Sequence, residues 1–171
     1  METVLVTLLV ITAVLFGALT LAYRYLAAQD MTVRSSREME ERVQERARTA
    51  LDVLRVETRS SGETVEVALK NVGSTKLADF ERWDVLLQYY DDLGAYHAQW
   101  YPYSPHANAW TVQGIYLAAP STAEGYEPGI LNPGEEAVLR ISLSPVVGPG
   151  SMNWVTVATP NGITASAVFT R

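Results

Sequence analysis

The sequence predicts an α+β fold: a long N-terminal α-helix, hydrophobic and then amphipathic, followed by an antiparallel immunoglobulin-like β-sandwich. Three observations support this prediction. Residues 3–23 carry no charge, residues 18–61 contain neither glycine nor proline, and after residue 54 the apolar residues recur at every second position. The chain has 171 residues, which is enough for one compact domain and an appendage.

The first helical segment, residues 3–23, has the length and composition of a membrane-spanning helix. Val, Leu, Ile or Phe occupy 12 of its 21 positions. A helix of that length spans roughly 32 Å, close to the thickness of a bilayer core. A secretory signal peptide has a shorter apolar run, about 7 to 15 residues, followed by a small-residue cleavage site. We therefore expect this helix to be retained in the protein.

Copies of this helix are expected to bury one another, because the sequence contains no second apolar span that would pack against it. A set of its residues recurs at intervals of three and four, so these residues lie on one face of the helix. The predicted contacts in the dry core of such an assembly are Val4, Leu8, Ile11, Leu15 and Leu19.

The helix is predicted to continue through residues 24–54 as an amphipathic segment. A narrow stripe of apolar and small residues recurs every three or four positions from Ala28 to Leu54, with charged residues around it. The pattern of a single apolar stripe changes to strand-like alternation after this point. We therefore assign the N-terminal helix to residues 1–54 and an outer β-sandwich domain to residues 55–171.

In the second part of the chain, apolar and polar residues alternate with the spacing of half-buried β-strands. The alternation is clearest at residues 65–69, 83–90 and 137–143. Turns rich in Gly, Pro and Asn separate these runs, and about seven or eight short strands of this kind are typical of an antiparallel sandwich. Residues 101–128 are the least regular, so we expect long loops there with one strand near residues 110–117.

The acidic charge balance limits the kinds of partner. The net charge is −6, and residues 55–171 carry 7 Lys and Arg against 12 Asp and Glu. Such a surface repels phosphate backbones, so we expect no binding of nucleic acid. The absence of cysteine excludes disulfides, thiol catalysis and cysteine-ligated zinc. The sequence also lacks a nucleophile elbow and a phosphate-binding loop, so we predict a protein that is not an enzyme and has no cofactor.

Two histidines and two acidic pairs are the groups that a metal ion would use. His97 and His106 lie nine positions apart without the spacing of zinc ligands, so we expect no metal there. The pairs Asp91–Asp92 and Glu135–Glu136 are typical of solvated turns, and a calcium site is the alternative interpretation.

Aromatic residues are dense between residues 96 and 116. Because Tyr and Trp are enriched at protein interfaces and bury large areas, we interpret this set as sandwich core and subunit contact. A sugar-binding or adhesive surface is the alternative. The candidate outer-surface contacts are Tyr96, Trp100, Tyr103 and Trp110.

Three short motifs carry a family resemblance. Residues 67–75 read VALKNVGST, residues 131–135 read LNPGE, and residues 154–163 read WVTVATPNGI. The first resembles the early strand and turn of archaellins, the archaeal flagellins within the type IV pilin-like superfamily. The second resembles their loop before a central strand, and the third resembles their closing hairpin. Together with the helix, the similarity extends over nearly the whole chain.

The resemblance implies a structural subunit of a helical archaellum filament for swimming motility. Such a subunit forms a homopolymer through its N-terminal helix, in which the five residues named above are filament-core contacts. It resides in the cytoplasmic membrane before assembly and in an extracellular filament at the cell surface afterwards. A leader peptidase and a membrane assembly motor are implied as partners. The alternatives are a membrane-anchored stator or accessory β-sandwich protein of the archaellum, and an adhesive type IV pilin-like subunit.

The orientation of the helix in the membrane depends on whether a basic leader is removed before Met1. The nearest positive charges, Arg24, Arg34 and Arg37, follow the apolar segment. Because positive charges tend to stay on the cytoplasmic side, these arginines alone would keep the sandwich in the cytoplasm. We expect that a basic leader is removed, which reverses the orientation and directs the sandwich outward.

Overall fold

A computed structural model describes residues 2–118 and 122–171 of the chain. The N-terminal helix α1 comprises Glu2–Arg48, and nine strands follow within the described ranges. The strands are β1 Leu51–Arg59, β2 Thr64–Asn71, β3 Asp84–Tyr90, β4 Tyr96–Tyr101, β5 Ala109–Ala118, β6 Thr122–Ala123, β7 Glu136–Ser142, β8 Met152–Ala158 and β9 Thr164–Thr170. The chain divides into two compact units, Met1–Val43 and Gln44–Arg171.

The strands form two antiparallel sheets, which confirms the predicted fold class. One sheet has the order β1-β2-β7-β5-β6 and the other has the order β4-β3-β8-β9. The strands predicted at residues 65–69, 83–90 and 137–143 lie in β2, β3 and β7. The strand expected near residues 110–117 is β5, whereas the six-residue strand β4 was not predicted from the sequence.

The core lies between the two sheets and follows from the alternation along the central strands. In β3 the side chains of Val85, Leu87 and Tyr89 are completely buried, and the intervening residues are exposed. β8 shows the same pattern, with Val155 and Val157 completely buried. β2 and β7 contribute a matching set from the other sheet. Burial of these apolar surfaces is therefore the main term that holds the sheets together.

The helix ends at Arg48, so the prediction that it continues through residue 54 is wrong. Thr49 terminates it, because its hydroxyl donates to the carbonyl oxygen of Glu45 at 2.9 Å and also accepts from the Asn161 side chain at 2.9 Å. Leu51 and Val53 then pack against the sandwich core as part of β1. The apolar spacing of the helix extends by chance into β1, whose apolar residues also fit a strand with a bulge between Val53 and Arg55. This overlap explains the wrong prediction.

The loop after β2 holds the end of this helix through its backbone. The N–H of Ser74 donates to the carbonyl oxygen of Arg48 at 2.8 Å, and the N–H groups of Val72 and Gly73 both donate to Ala50 at 3.0 and 3.1 Å. A Cβ atom at Gly73 would lie 2.6 Å from the backbone of both Arg48 and Ala50, so only glycine fits there. The Asn-Val-Gly motif therefore fixes the junction between α1 and β1.

Asn71 connects this loop to the segment that precedes β7. Its side chain is completely buried, and its amide nitrogen donates to Thr75 and Leu131 at 2.8 and 3.0 Å. Its amide oxygen accepts from the N–H of Gly73 at 3.1 Å. Because every buried polar group needs a partner, this side chain joins segments that are 60 residues apart in sequence.

We expect the fragment Gln44–Arg171 to fold alone and to give a strand-dominated circular dichroism spectrum. A fragment that begins at Arg55 should lose roughly 2 to 4 kcal/mol of unfolding free energy, because it lacks the partly buried side chains of Leu51 and Val53. Urea unfolding of the two fragments measures the difference. Equal stability would contradict the assignment of β1 to the core, and a mainly helical spectrum would contradict the sandwich.

Replacing Asn71 by Ala should lower the unfolding free energy of the same fragment by roughly 2 to 4 kcal/mol, because it leaves buried backbone groups without hydrogen bonds. The matched control is Thr170→Ala on the exposed side of β9, which should change stability by less than about 0.5 kcal/mol. Equal effects of the two substitutions in urea unfolding would show that the Asn71 bonds do not stabilise the fold.

Candidate assembly surfaces

The apolar face of α1 is the first candidate surface. The predicted filament-core residues Val4, Leu8, Ile11, Leu15 and Leu19 have exposed fractions of 52 to 73%. Within the described residues, α1 is one helix that is long and apolar enough to cross a membrane. These side chains are therefore available for contact with lipid or with other copies of the chain, and their role in a filament core stays a prediction.

Three of the four threonines in the apolar segment are hydrogen-bonded within their own helix. The hydroxyls of Thr7, Thr12 and Thr20 each donate to the carbonyl oxygen four residues earlier, at 2.8 Å. A hydroxyl bonded in this way does not need water or a neighbouring helix as its partner. The polar residues of this segment therefore do not oppose burial in a lipid or protein interior.

The outer side of the four-stranded sheet is the second candidate surface. Register places Leu86 opposite Trp100 on β4, and Gln88 lies opposite Trp154 on β8. The exposed fractions of the large apolar side chains on this side range from 39% for Trp154 to 56% for Met152. We call this surface the aromatic face, and it comprises Leu86, Tyr90, Tyr96, Trp100, Met152, Trp154 and Val168.

The outer side of the five-stranded sheet has the opposite character. The pair Ala68 and Val138 on this side is flanked by two charged cross-strand pairs, Glu66 with Arg140 and Lys70 with Glu136. The Lys70 and Glu136 side chains approach to 3.6 Å. Arg59 adds a contact of 3.2 Å to Glu66. We call these four paired residues on β2 and β7 the charged face. Alternating charges of this kind are typical of a sheet surface that remains in water.

The four candidate outer-surface contacts differ in position and in exposure. Tyr96 and Trp100 belong to the aromatic face, with exposed fractions of 53 and 55%. Tyr103 is 38% exposed and lies beyond the end of β4. Trp110 is completely buried, so its prediction as a surface contact is wrong. Its inward position on β5 places its ring against the edge of Tyr103, with ring centroids 4.9 Å apart.

The two acidic pairs were expected to be solvated, and this expectation is wrong for one member of each. Asp91 and Glu135 are each 7% exposed. The Asp91 carboxylate accepts hydrogen bonds from the N–H groups of Leu93 and Ala95 at 2.9 and 2.8 Å, which closes the turn between β3 and β4. The Glu135 carboxylate accepts from the N–H of Asn132 at 2.7 Å. Both carboxylates therefore stabilise turns.

His97 completes the cluster at the turn between β3 and β4. Its ring nitrogen Nε2 donates to the Asp91 carboxylate at 2.8 Å, and its ring stacks on Tyr89 with centroids 5.1 Å apart. The hydrogen bonds from His97 and from the N–H groups of Ala95 and Leu93 hold the pKa of Asp91 below its usual value. In the described part of the chain, no three His, Asp or Glu side chains are grouped as metal ligands.

The sequence matches no protein-family model and no curated protein. Among solved structures, the chain resembles the flagellum of Methanospirillum hungatei over 97% of its own length and 92% of that subunit, with a TM-score of 0.61 and 15% identity. Flagellin FlaB1 of Methanocaldococcus jannaschii is similar over 71% of this chain and 89% of its own, with a TM-score of 0.53 and 14% identity. The chain has the archaellin-like fold.

The archaellin-like fold also occurs in a protein with another role. The archaellum periplasmic stator protein FlaG of Sulfolobus acidocaldarius matches 71% of this chain and 99% of its own, with a TM-score of 0.54 and 25% identity. The complex of FlaG with FlaF from the same organism matches with a TM-score of 0.53, also at 25% identity, over 70% of this chain and 87% of its counterpart. Fold alone therefore does not separate a filament subunit from a stator.

We expect acid to weaken the sandwich through Asp91. Because its folded-state pKa is depressed, the stabilising effect is fully present above the unfolded pKa of about 3.9 and is lost as the pH falls below it. Asp91→Asn should be less stable at pH 7 and should lose less stability than the wild type between pH 5 and pH 2. Thermal unfolding followed by tryptophan fluorescence tests this, with exposed Asp92→Asn as the control. Identical pH dependence in Asp91→Asn and the wild type would exclude the role of Asp91.

Proposed function

We propose that the chain is a membrane-anchored stator-type component of an archaellum, in which α1 tethers the sandwich to the membrane. The observation that carries this proposal is sequence identity, because structural similarity does not favour the flagellar subunits clearly: the TM-score is 0.54 for FlaG and 0.61 and 0.53 for the two flagellar subunits. Identity is 25% with the FlaG stator but 14 to 15% with the two flagellar subunits. The match covers 99% of the stator structure and 71% of this chain. All three structures support the fold, and of these three FlaG has the highest sequence identity to this chain.

The two compact units fit a tethered module. The sandwich core lies entirely within Gln44–Arg171, so it does not require a neighbouring subunit to bury its apolar side chains. Residues 3–23 are uncharged, and the hydroxyls of Thr7, Thr12 and Thr20 in this segment are bonded to their own helix. Such a helix is stable in lipid while the acidic sandwich remains in water. In this function no residue is catalytic, and the sandwich works by binding.

A filament subunit is the second candidate, and the length of the structural similarity favours it. The match to the Methanospirillum hungatei flagellum includes the helix and covers 97% of this chain. In that function Val4, Leu8, Ile11, Leu15 and Leu19 would form the filament core. A leader peptidase and an assembly motor would then act on the chain, and its final location would be an extracellular filament instead of the membrane.

Mechanical shearing of the cells separates the two functions. We expect the chain to stay in the membrane fraction and to require detergent for its release, because lipid solvates its apolar helix. The filament preparation should consist of another protein, identified by mass spectrometry, and this protein is the internal control for shearing. Recovery of the chain as the main component of sheared filaments would reject the stator and establish the filament subunit.

The substitution Ile11→Asp gives an independent test. The apolar residues of segment 3–23 contribute roughly −4 to −7 kcal/mol to insertion, and one Asp near the centre costs about 2.5 to 3.5 kcal/mol. A tethered stator variant should therefore remain in the membrane. A filament would repeat the buried carboxylate in every subunit and should not assemble. The control is Ile11→Val. Membrane retention of both variants supports the stator. Recovery of Ile11→Val in filaments while Ile11→Asp stays in the membrane supports the filament subunit instead.

A further inference from the structure

We propose that the aromatic face pairs with the aromatic face of a second copy of this chain, so that two sandwiches associate back to back. The proposal goes beyond the stator function, because it specifies a contact between copies and the residues that make it. Three features of the described residues support it: the size of the apolar surface, the distribution of charge, and the internal use of the polar groups on this face.

The exposed apolar area is large enough for a functional surface. Four aromatic and three aliphatic side chains of the aromatic face are exposed by 39 to 56%. A fully exposed aromatic side chain offers about 150 to 250 Å², so the exposed parts of the four aromatic residues offer roughly 300 to 450 Å², and the three aliphatic side chains add to this area. The total is at least that of the largest apolar patch of a typical monomer, about 300 to 600 Å², which is often functional, and it covers about half or more of the roughly 800 Å² that each partner contributes to a stable interface.

Charge favours this face over the other surfaces for contact between identical chains. Each copy carries a net charge of −6, so most surfaces of two copies repel one another. Among the outward positions of β3, β4, β8 and β9, Asp84 is the only charged residue. Its carboxylate accepts a hydrogen bond from the indole nitrogen of Trp100 at 2.8 Å. Two aromatic faces therefore meet with little charge repulsion.

Several polar side chains on this side of the sheet are hydrogen-bonded to one another. The hydroxyl of Tyr96 donates to the Gln88 side chain at 3.1 Å, and the hydroxyls of Thr156 and Ser166 lie 2.9 Å apart in a hydrogen bond. The rings of Tyr90 and Tyr96 are tilted by 55° to each other, which is unlike the flat platform on which a sugar ring stacks. The face is therefore mainly apolar and irregular in shape, and it fits an apolar protein surface better than a polysaccharide.

Pairing around a two-fold axis places the same residues on both sides of the interface. The central strands of the sheet are β3 and β8, so the axis passes near Gln88 and its neighbour Trp154. Sheets packed face to face lie about 10 Å apart. The two Gln88 positions should therefore be close enough for a short chemical cross-linker, whereas residues on the charged face of the two copies should be far apart.

The absence of cysteine makes cross-linking specific. We would introduce Gln88→Cys in the full chain, treat membranes with a short bis-maleimide, and compare it with Arg140→Cys at the centre of the charged face. The proposal predicts at least ten-fold more covalent dimer for Gln88→Cys. Association through α1 would affect both variants alike, so the difference reports the contact of the aromatic faces.

A second substitution tests whether the cross-link depends on the apolar contact. Leu86→Glu, added to Gln88→Cys, should reduce the dimer to the level of Arg140→Cys, because Leu86 is 40% exposed and lies beside the axis. Thr111→Glu on the charged side of β5 is the matched control and should leave the dimer unchanged. Tryptophan fluorescence checks that both variants are folded. Equal cross-linking at the two cysteines, a dimer insensitive to Leu86→Glu, or cross-linking only to a different protein would each overturn the proposal.

Discussion

The alternation of side chains along β3 and β8 is the constraint on which the rest of the sandwich depends. One set of alternate residues, such as Val85 and Leu87, is completely buried between the sheets. The same backbone geometry turns Leu86 and Trp154 outward, because successive side chains of a strand point to opposite sides. A shift of one residue would bury the outer set and expose the core. The register that builds the core therefore also builds the aromatic face.

Buried polar groups stabilise the ends of the sandwich through hydrogen bonds, whereas apolar burial stabilises its centre. Asn71 joins the loop after β2 to the segment before β7, and Asp91 closes the turn between β3 and β4. Thr49 and Asn161 join the end of the helix to the hairpin between β8 and β9. In each place a short polar side chain satisfies backbone groups that a loop would otherwise leave without partners. These contacts fix where the helix ends and where the loops begin.

The difference between the two outer faces is the feature most relevant to function. The charged face carries alternating acids and bases and suits water, whereas the aromatic face has one charged position. A helix that is apolar at residues 3–23 and a sandwich with one apolar outer side give the chain two separate surfaces for association. The archaellin-like fold supports both a filament subunit and a stator.

The sequence by itself determined the elements whose signals are local. Hydrophobic periodicity predicted the helix, β2, β3 and β7, and the turns rich in Gly, Pro and Asn marked the ends of strands, because these patterns depend on neighbouring residues. Tertiary structure decided the features that depend on distant partners. The helical stripe was predicted to run through Ala50 to Leu54, yet Leu51 and Val53 lie in a strand because β2 is available for pairing. Trp110 carries no signal that separates a surface from a core position, and only its inward direction on β5 buries it. The aromatic face likewise required the order of β4, β3, β8 and β9, which brings residues far apart in sequence onto one surface.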